Sequence, residues 1–402
     1  MGIPSLWRGG AQPTIDDHFL ETRLKLIHLS AALAAAALLV SCGGSDDKVQ
    51  FTSVVSFGDS LSDSGTYKVG TIAALNGGKF TVNGAGSSSY TWSEDLAVAV
   101  GAPAQCSART GLLPNLAGVT GAPVTDIAGC YNYAQGSSRV TSEGSGPNGV
   151  ALQAFGDQNL GFMANSLMEQ MNRHLAKVGG AYSGSELVTV NAGGNDAFMQ
   201  LNGLASAAGG GATAVGAGTI AGWPQSVLNI VAGGGAAATN AAAVAAVTAM
   251  GQAGTELAGY IRTLIVAKGA KYVLVRNLGN INVTPYGRTL DAGTQGIITN
   301  MTQAFNSALS AGLSGTFGVL SLDDYALTND AAANPAKYGY TNVTSAACGN
   351  NAFGGSSIVC NSTNVVAGSS QYEFSDSVHP TPYAHQKEAD AAYSLLVQAG
   401  WQ

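Results

Sequence analysis

Charge is scarce in this chain of 402 residues. Asp, Glu, Lys and Arg together make up 10%, against about 25% in an average soluble domain. The 17 basic side chains form no cluster, and with 24 acidic ones the formal net charge is −7. Neutralising a phosphate backbone needs a patch of Lys and Arg, so nucleic acid is excluded as a partner. Histidine is rarer still, at five. No His and Cys residues fall at metal-ligand spacing, so neither a metal nor a cofactor is expected. The chain has no internal repeat and no linker inside residues 50 to 402, which points to one domain there. Low charge does not mean disorder here. Hydrophobic residues make up 46%, enough for a sizeable core, whereas disorder goes with low hydrophobicity and high charge.

What is present begins with a leader. Arg23 and Lys25 precede an apolar run, Leu26 to Val40, of signal-peptide length and short for a bilayer span. A polar stretch, residues 1–22, lies ahead of it, consistent with a start assigned upstream of the true one. The run ends in "LVSC", Leu39 to Cys42, which resembles a bacterial lipobox: an aliphatic residue, two small ones, then the cysteine that receives lipid. The expectation is a signal segment over 1–42, a polar tether over 43–50 and the functional domain over 51–402. The product would be exported and lipid-anchored at Cys42. Gly43 carries no inner-membrane retention signal, so the outer membrane is expected, with a periplasmic or secreted form as the alternative. Four cysteines then remain: Cys106, Cys130, Cys348 and Cys360. An even number in an exported chain implies disulfides. Of the three possible pairings, the local ones are expected, Cys106 with Cys130 and Cys348 with Cys360.

Short apolar strands alternate with helical stretches. Ser53–Phe57, "SELVTVN", "AKYVLVRN" and "GVLSL" read as strands. "TWSEDLAVAVG" reads as a helix that Thr91 or Ser93 can cap, closed by Gly101. "GFMANSLMEQMNRHLAKVGG" and "TPYAHQKEADAAYSLLVQAG" read as helices. Residues 203–254 are almost all Ala and Gly. The later part is predicted as a long helix and the earlier part, about 203 to 235, as a loop or lid. The alternation implies an α/β fold with a parallel sheet covered on both faces.

Within this frame one turn stands out. "FGDSLSDSG", Phe57 to Gly65, follows a strand and presents Ser60. A hydroxyl becomes a nucleophile only beside a base that a third group orients. His379, in "FSDSVHPT", has Asp376 three residues before it, a spacing that brings two side chains to one face of a helical turn. The triad logic then assigns Ser60 as nucleophile, His379 as base and Asp376 as its orienting partner. His174, beside Arg173, is predicted on a solvated helix face. His385 has no carboxylate upstream and is read as packing or surface. Asp59 is read as a cap of the turn. Two glycine turns, "NYAQGSS" (Asn132 to Ser138) and "NAGGND" (Asn191 to Asp196), can aim N–H donors at an oxyanion, and Asn195 can add its amide. Tyr90, Trp92 and Phe198 are either pocket wall or core.

"FGDSLSDSG", "NYAQGSS", "GGND" and "DSVHPT", in this order over roughly 320 residues, resemble the four blocks of the SGNH/GDSL esterase and lipase family. The resemblance implies a three-layer α/β/α sandwich, flavodoxin-like, with a mainly parallel sheet of about five strands. It implies a serine ester hydrolase with Ser60, Asp376 and His379 as triad. The oxyanion hole would comprise the N–H groups of Ser60 and Gly136 and the side chain of Asn195. One departure is visible: relatives often read "GGA" in the second block, where this chain has Gly136-Ser137-Ser138. The implied substrates are lipid or short- to medium-chain carboxylic esters. Deacetylation of a surface polysaccharide is the alternative reaction. A non-catalytic surface lipoprotein on the same fold is the rival class, against which the complete triad counts.

Overall fold

A computed structural model describes residues 48–112, 118–141 and 164–402. The leader with His18, His28 and Cys42, and most of the tether, lie outside the described residues. The chain divides between Val49 and Gln50, and the fold below is that of residues 50–402.

Four strands form an all-parallel sheet in the order β1 (Val54–Phe57), β2 (Leu187–Asn191), β3 (Tyr272–Arg276) and β4 (Val319–Leu322). The expected fifth strand is a fragment. On the far side of β1, Ser56 donates to the Tyr131 carbonyl (3.1 Å) and accepts from the Tyr133 N–H (2.8 Å), one parallel bridge at Asn132. Counting it in chain order gives 2-1-3-4-5, the flavodoxin-like order, whose switch point lies between the first and third strands. Here that is the gap between the carboxyl ends of β1 and β2. Farther along the chain, β5 (Asn342–Ala346) and β6 (Tyr372–Phe374) pair separately.

Strand alternation sorts the two faces. Val55, Phe57, Val188, Val190, Val273 and Val275 join one apolar core. The other face buries Ser56, Thr189, Asn191 and Arg276. Two helices cover that polar face, α1 (Trp92–Ala99) and α9 (Pro382–Gln398). The apolar core takes in α2 (Leu167–Lys177), α3 (Gly194–Ala207), α4 (Gly211–Ala221), α5 (Gln225–Val231), α6 (Gly235–Tyr260) and α7 (Ala292–Leu313). One more helix, α8 (Asp324–Ala333), follows β4. Thr91 caps α1 as expected: its N–H is held by the Glu94 side chain at 2.9 Å. No helix among the described residues is long and apolar enough to cross a membrane.

The Ala/Gly-rich stretch is a correction. Residues predicted as a loop or lid form the end of α3 and the separate helices α4 and α5, and the expected helix α6 follows. Glycine disfavours isolated helix by about 1 kcal/mol each, but here small residues admit neighbours. A Cβ on Gly254 would lie 2.3 Å from the Phe305 carbonyl oxygen of α7. Gly203 and Gly218 leave room for the Trp223 ring, whose Nε1–H donates to Gln200 at 2.6 Å.

His174 is a second correction. Leu167, Met171 and His174 share the inward stripe of α2, and His174 is 1% exposed. Its ring lies 5.7, 5.3 and 4.7 Å from those of Phe57, Tyr133 and Tyr182. The spacing i, i+4, i+7 places it inside, whatever the charge of Arg173. Burial pushes its pKa from 6.5 down to about 4. The folded state therefore refuses a proton that the unfolded chain accepts below pH 6.5. Stability from this site is complete above pH 6.5 and is lost as pH falls towards 4, about 3 kcal/mol in all. Urea titrations at pH 7 and 4.5 check this. The stability lost on acidification should be smaller in His174→Gln than in the natural protein; equal losses would contradict it.

Candidate active site

The turn after β1 is built from both faces of the sheet. Gln170 of α2 clamps Gly58, accepting from its N–H and donating to its carbonyl, both at 2.9 Å. Asp59 accepts from the Leu61 N–H at 3.0 Å and from Asn191 Nδ2 at 2.9 Å, so it does cap the turn, and burial raises its pKa. Ser62 donates to Asn191 Oδ1 and accepts from Trp92 Nε1 at 2.8 Å. Trp92 is fully buried and is core, not pocket wall. Tyr90 lies against Lys79, and Phe198 alone of the three aromatic candidates lines the cleft.

These contacts present Ser60 to His379. Ser60 Oγ lies 2.9 Å from His379 Nε2. On the other side of the ring, Nδ1 lies 2.9 and 2.8 Å from the two Asp376 oxygens. The reason for the three-residue spacing differs from the expected one. Residues 375–378 form a bend, not a helical turn. Asp376 Oδ1 accepts from the backbone N–H groups of Val378 (3.0 Å) and His379 (2.8 Å), an Asx-type closure. Asp376 Oδ2 accepts from the Ser357 N–H at 3.0 Å. Ser357 lies inside the loop closed by Cys348–Cys360; this disulfide and Cys106–Cys130 are the two expected pairs. Burial would raise the pKa of Asp376, but the charge and hydrogen bond of His379, with the Ser357 and Val378 donors, hold it well below the ordinary 3.8. Of the other described histidines, His174 meets the Tyr133 hydroxyl at 3.2 Å in the core. His385 is fully buried and bonds Glu388 at 2.9 Å, a partner downstream that the sequence reading did not consider.

The block-two donor moves by one residue. Gly136 N–H is spent on Asp63 Oδ2 at 3.0 Å, and Gly136 is absent from the cleft wall, which Ser137 lines instead. The need for glycine at 136 is steric, since a Cβ there would meet the Phe80 ring at 2.2 Å. Among the described residues, the N–H groups of Ser60 and Ser137 have no hydrogen-bond partner, although these residues are only 8% and 5% exposed. Buried orphan N–H groups are rare, and two beside one hydroxyl mark a place for an anion. Asn195 uses one Nδ2 hydrogen on the Ser138 carbonyl at 2.9 Å and keeps the other. Ser138 N–H closes a turn on Gln135 at 3.1 Å, and Ser137 within it has φ +75°. That left-handed position is the one type II turns reserve for glycine. Ser137→Gly should raise stability by about 1 kcal/mol, measured by urea denaturation; a loss would contradict the strain.

The cleft leading from Ser60 has a cavity volume of about 130 Å3. Its apolar wall includes Phe198, Ile281, Val283, Leu327, Ala331 and Val378. Among the described residues no cluster of His, Cys, Asp and Glu has metal-holding geometry.

Residues 54–392 match the family described as GDSL-like Lipase/Acylhydrolase. The chain is also similar to a GDSL esterase/lipase, APG, of Arabidopsis thaliana, with 30% identity over 148 residues. That match covers 33% of this chain and 42% of the plant protein.

Proposed function

We propose that this chain, which belongs to the GDSL-like lipase/acylhydrolase family, hydrolyses esters through an acyl-enzyme on Ser60. The observation that carries this reading is the line Ser60 Oγ, His379 Nε2, His379 Nδ1, Asp376, with contacts of 2.9 and 2.8 Å. Ser60 attacks the ester carbonyl while His379 takes its proton. The N–H groups of Ser60 and Ser137 and the free hydrogen of Asn195 receive the oxyanion. His379 returns the proton to the departing alcohol, and a water molecule, activated in the same way, releases the acid. Ionised Asp376 holds the imidazole with Nδ1 protonated and stabilises its charged form. Asn195→Ala should lower kcat by about 10²–10³, read on any turned-over ester; a change below threefold would remove Asn195 from the hole.

The apolar cleft supports carboxylic esters of lipid or short- to medium-chain acids as substrates. The test is a series of p-nitrophenyl esters from acetate to palmitate. A maximum at medium or long chains is the expected result. A maximum at acetate would transfer the reading to a deacetylase, and no turnover of any ester would overturn it.

We further propose export and lipid anchoring at Cys42. The lipobox-like "LVSC" supports this, as do two disulfides, which persist in oxidising compartments. Incorporation of labelled palmitate that survives Cys42→Ser would refute the anchor.

A further inference from the structure

The cleft that starts at Ser60 and His379 also reaches a buried acid with no role in the chemistry above. Glu373 sits in the middle of β6 and lines the same cleft. It is 5% exposed. Among the described residues its carboxyl makes no hydrogen bond or ion pair, and Oε2 is buried without a partner. A buried carboxyl left unpaired is costly.

The charged groups around it explain why no partner is at hand. Glu388 of α9 and Asp324 of α8 face the same region, and both raise the pKa of Glu373. Arg276 of β3 is committed to these two, at 3.1 Å from Glu388 and 2.8 Å from Asp324. His385 is bonded to Glu388. Lys387 of α9 lines the cleft, but its ammonium lies 3.7 Å from Asp390 and over the Tyr383 ring. Arg288 acts on Glu373 only through its field. Burial, then Glu388, push Glu373 from 4.5 up to about 8. Lys337 Nζ pairs with Asp330 and lies over the Tyr338 ring at 5.2 Å; acid therefore outnumbers uncommitted base at this part of the cleft, and the ring of Tyr340 lines it too. Carboxylates and aromatic faces are the groups that hold alkylammonium ions.

We propose that Glu373 is a specificity-determining residue, receiving with Tyr340 a positively charged alkylammonium group of the ester substrate. The inference rests on the esterase reading above. Binding such a group supplies the missing counter-charge and drives the Glu373 proton into solvent. Preference for a cationic ester therefore grows as pH rises through 8, where the carboxyl ionises without help.

A matched pair of esters tests this: butyrylcholine and its uncharged isostere, 3,3-dimethylbutyl butyrate, from pH 6 to 9. The ratio of their kcat/KM values cancels the titration of the catalytic histidine, which both share. The ratio should favour the cation by about 10- to 100-fold at pH 9, the worth of a contact to a charged group. It should shrink towards pH 6 and collapse to near 1 at every pH in Glu373→Gln. A flat ratio near 1 in the natural protein overturns the proposal without recourse to a variant. A preference that persists in a folded Glu373→Gln protein does so too. Turnover of neither ester would instead strike the esterase reading. Calorimetry with choline on Ser60→Ala protein then decides the inference separately: binding with proton release at pH 7 upholds it, and no binding overturns it.

Discussion

Alanine at position 60 should lower kcat for ester hydrolysis by about 10⁴- to 10⁶-fold. The hydroxyl lies 2.9 Å from His379 Nε2, and water placed by chance cannot match its effective concentration. KM should move little, because Ser60 Oγ contributes to the reaction and not to the apolar wall that holds the substrate. Residual turnover above the uncatalysed rate would come from the three oxyanion donors. Because the triad acts as a unit, Ser60→Ala/His379→Ala should be no slower than Ser60→Ala alone. Labelling by a fluorophosphonate should vanish with the hydroxyl. Activity of Ser60→Ala within tenfold of the natural protein would end the acyl-enzyme reading.

Asp376→Asn should cost about 10⁴ in kcat. The two residues are the same size, but their hydrogen-bond capacities are opposed. Asp376 accepts from Ser357, Val378 and His379 N–H groups and from His379 Nδ1. An asparagine presents an amide NH2 to at least one of these donors. The imidazole must then turn, or carry its proton on Nε2, where it can no longer accept from Ser60. Charge matters as well. His379 and the surrounding donors keep Asp376 well below 3.8, so it remains ionised wherever the protein is folded. The acid limb of the rate profile should therefore carry no contribution from Asp376. A loss smaller than about tenfold in a variant with unchanged thermal midpoint would mean that Asp376 only shapes the loop.

Gln170 is a residue that the sequence reading did not consider. It bonds both polar groups of Gly58 and also donates to Ser138 Oγ at 3.0 Å, so one amide in the middle of α2 joins the nucleophile turn to the oxyanion turn. The only signal was a polar residue on the inward stripe of an amphipathic helix. The same stripe held the clue to His174, whose charged neighbour Arg173 pointed the other way. Buried Arg276 was similarly opaque. It ends a Val-rich strand, and it stacks on Trp92 at 4.6 Å and pairs with Asp324 and Glu388, acids 48 and 112 residues away.

Local stereochemistry was legible because it is written in neighbouring residues. The strand endings, the Thr91 cap and the glycine turns needed only short-range rules. Ser60, Asp376 and His379 could be picked out because few residue types perform that chemistry and they stand in a known order. The local disulfide pairs needed only nearby cysteines. The rest depended on which distant segment returns to a given atom. Gly136 and Ser137 are adjacent and both small, but Asp63, 73 residues earlier, takes one N–H and leaves the other to the cleft. The Ala/Gly-rich stretch carries little helical preference of its own, and the close approach of α7 and Trp223 makes it helical. Glu373 drew no reading from the sequence, and the fold buries it in the field of Glu388. Residue type and order thus determined the chemistry available to this protein. Long-range packing, which sets burial and hydrogen-bond partners, decided which atoms are free to use it.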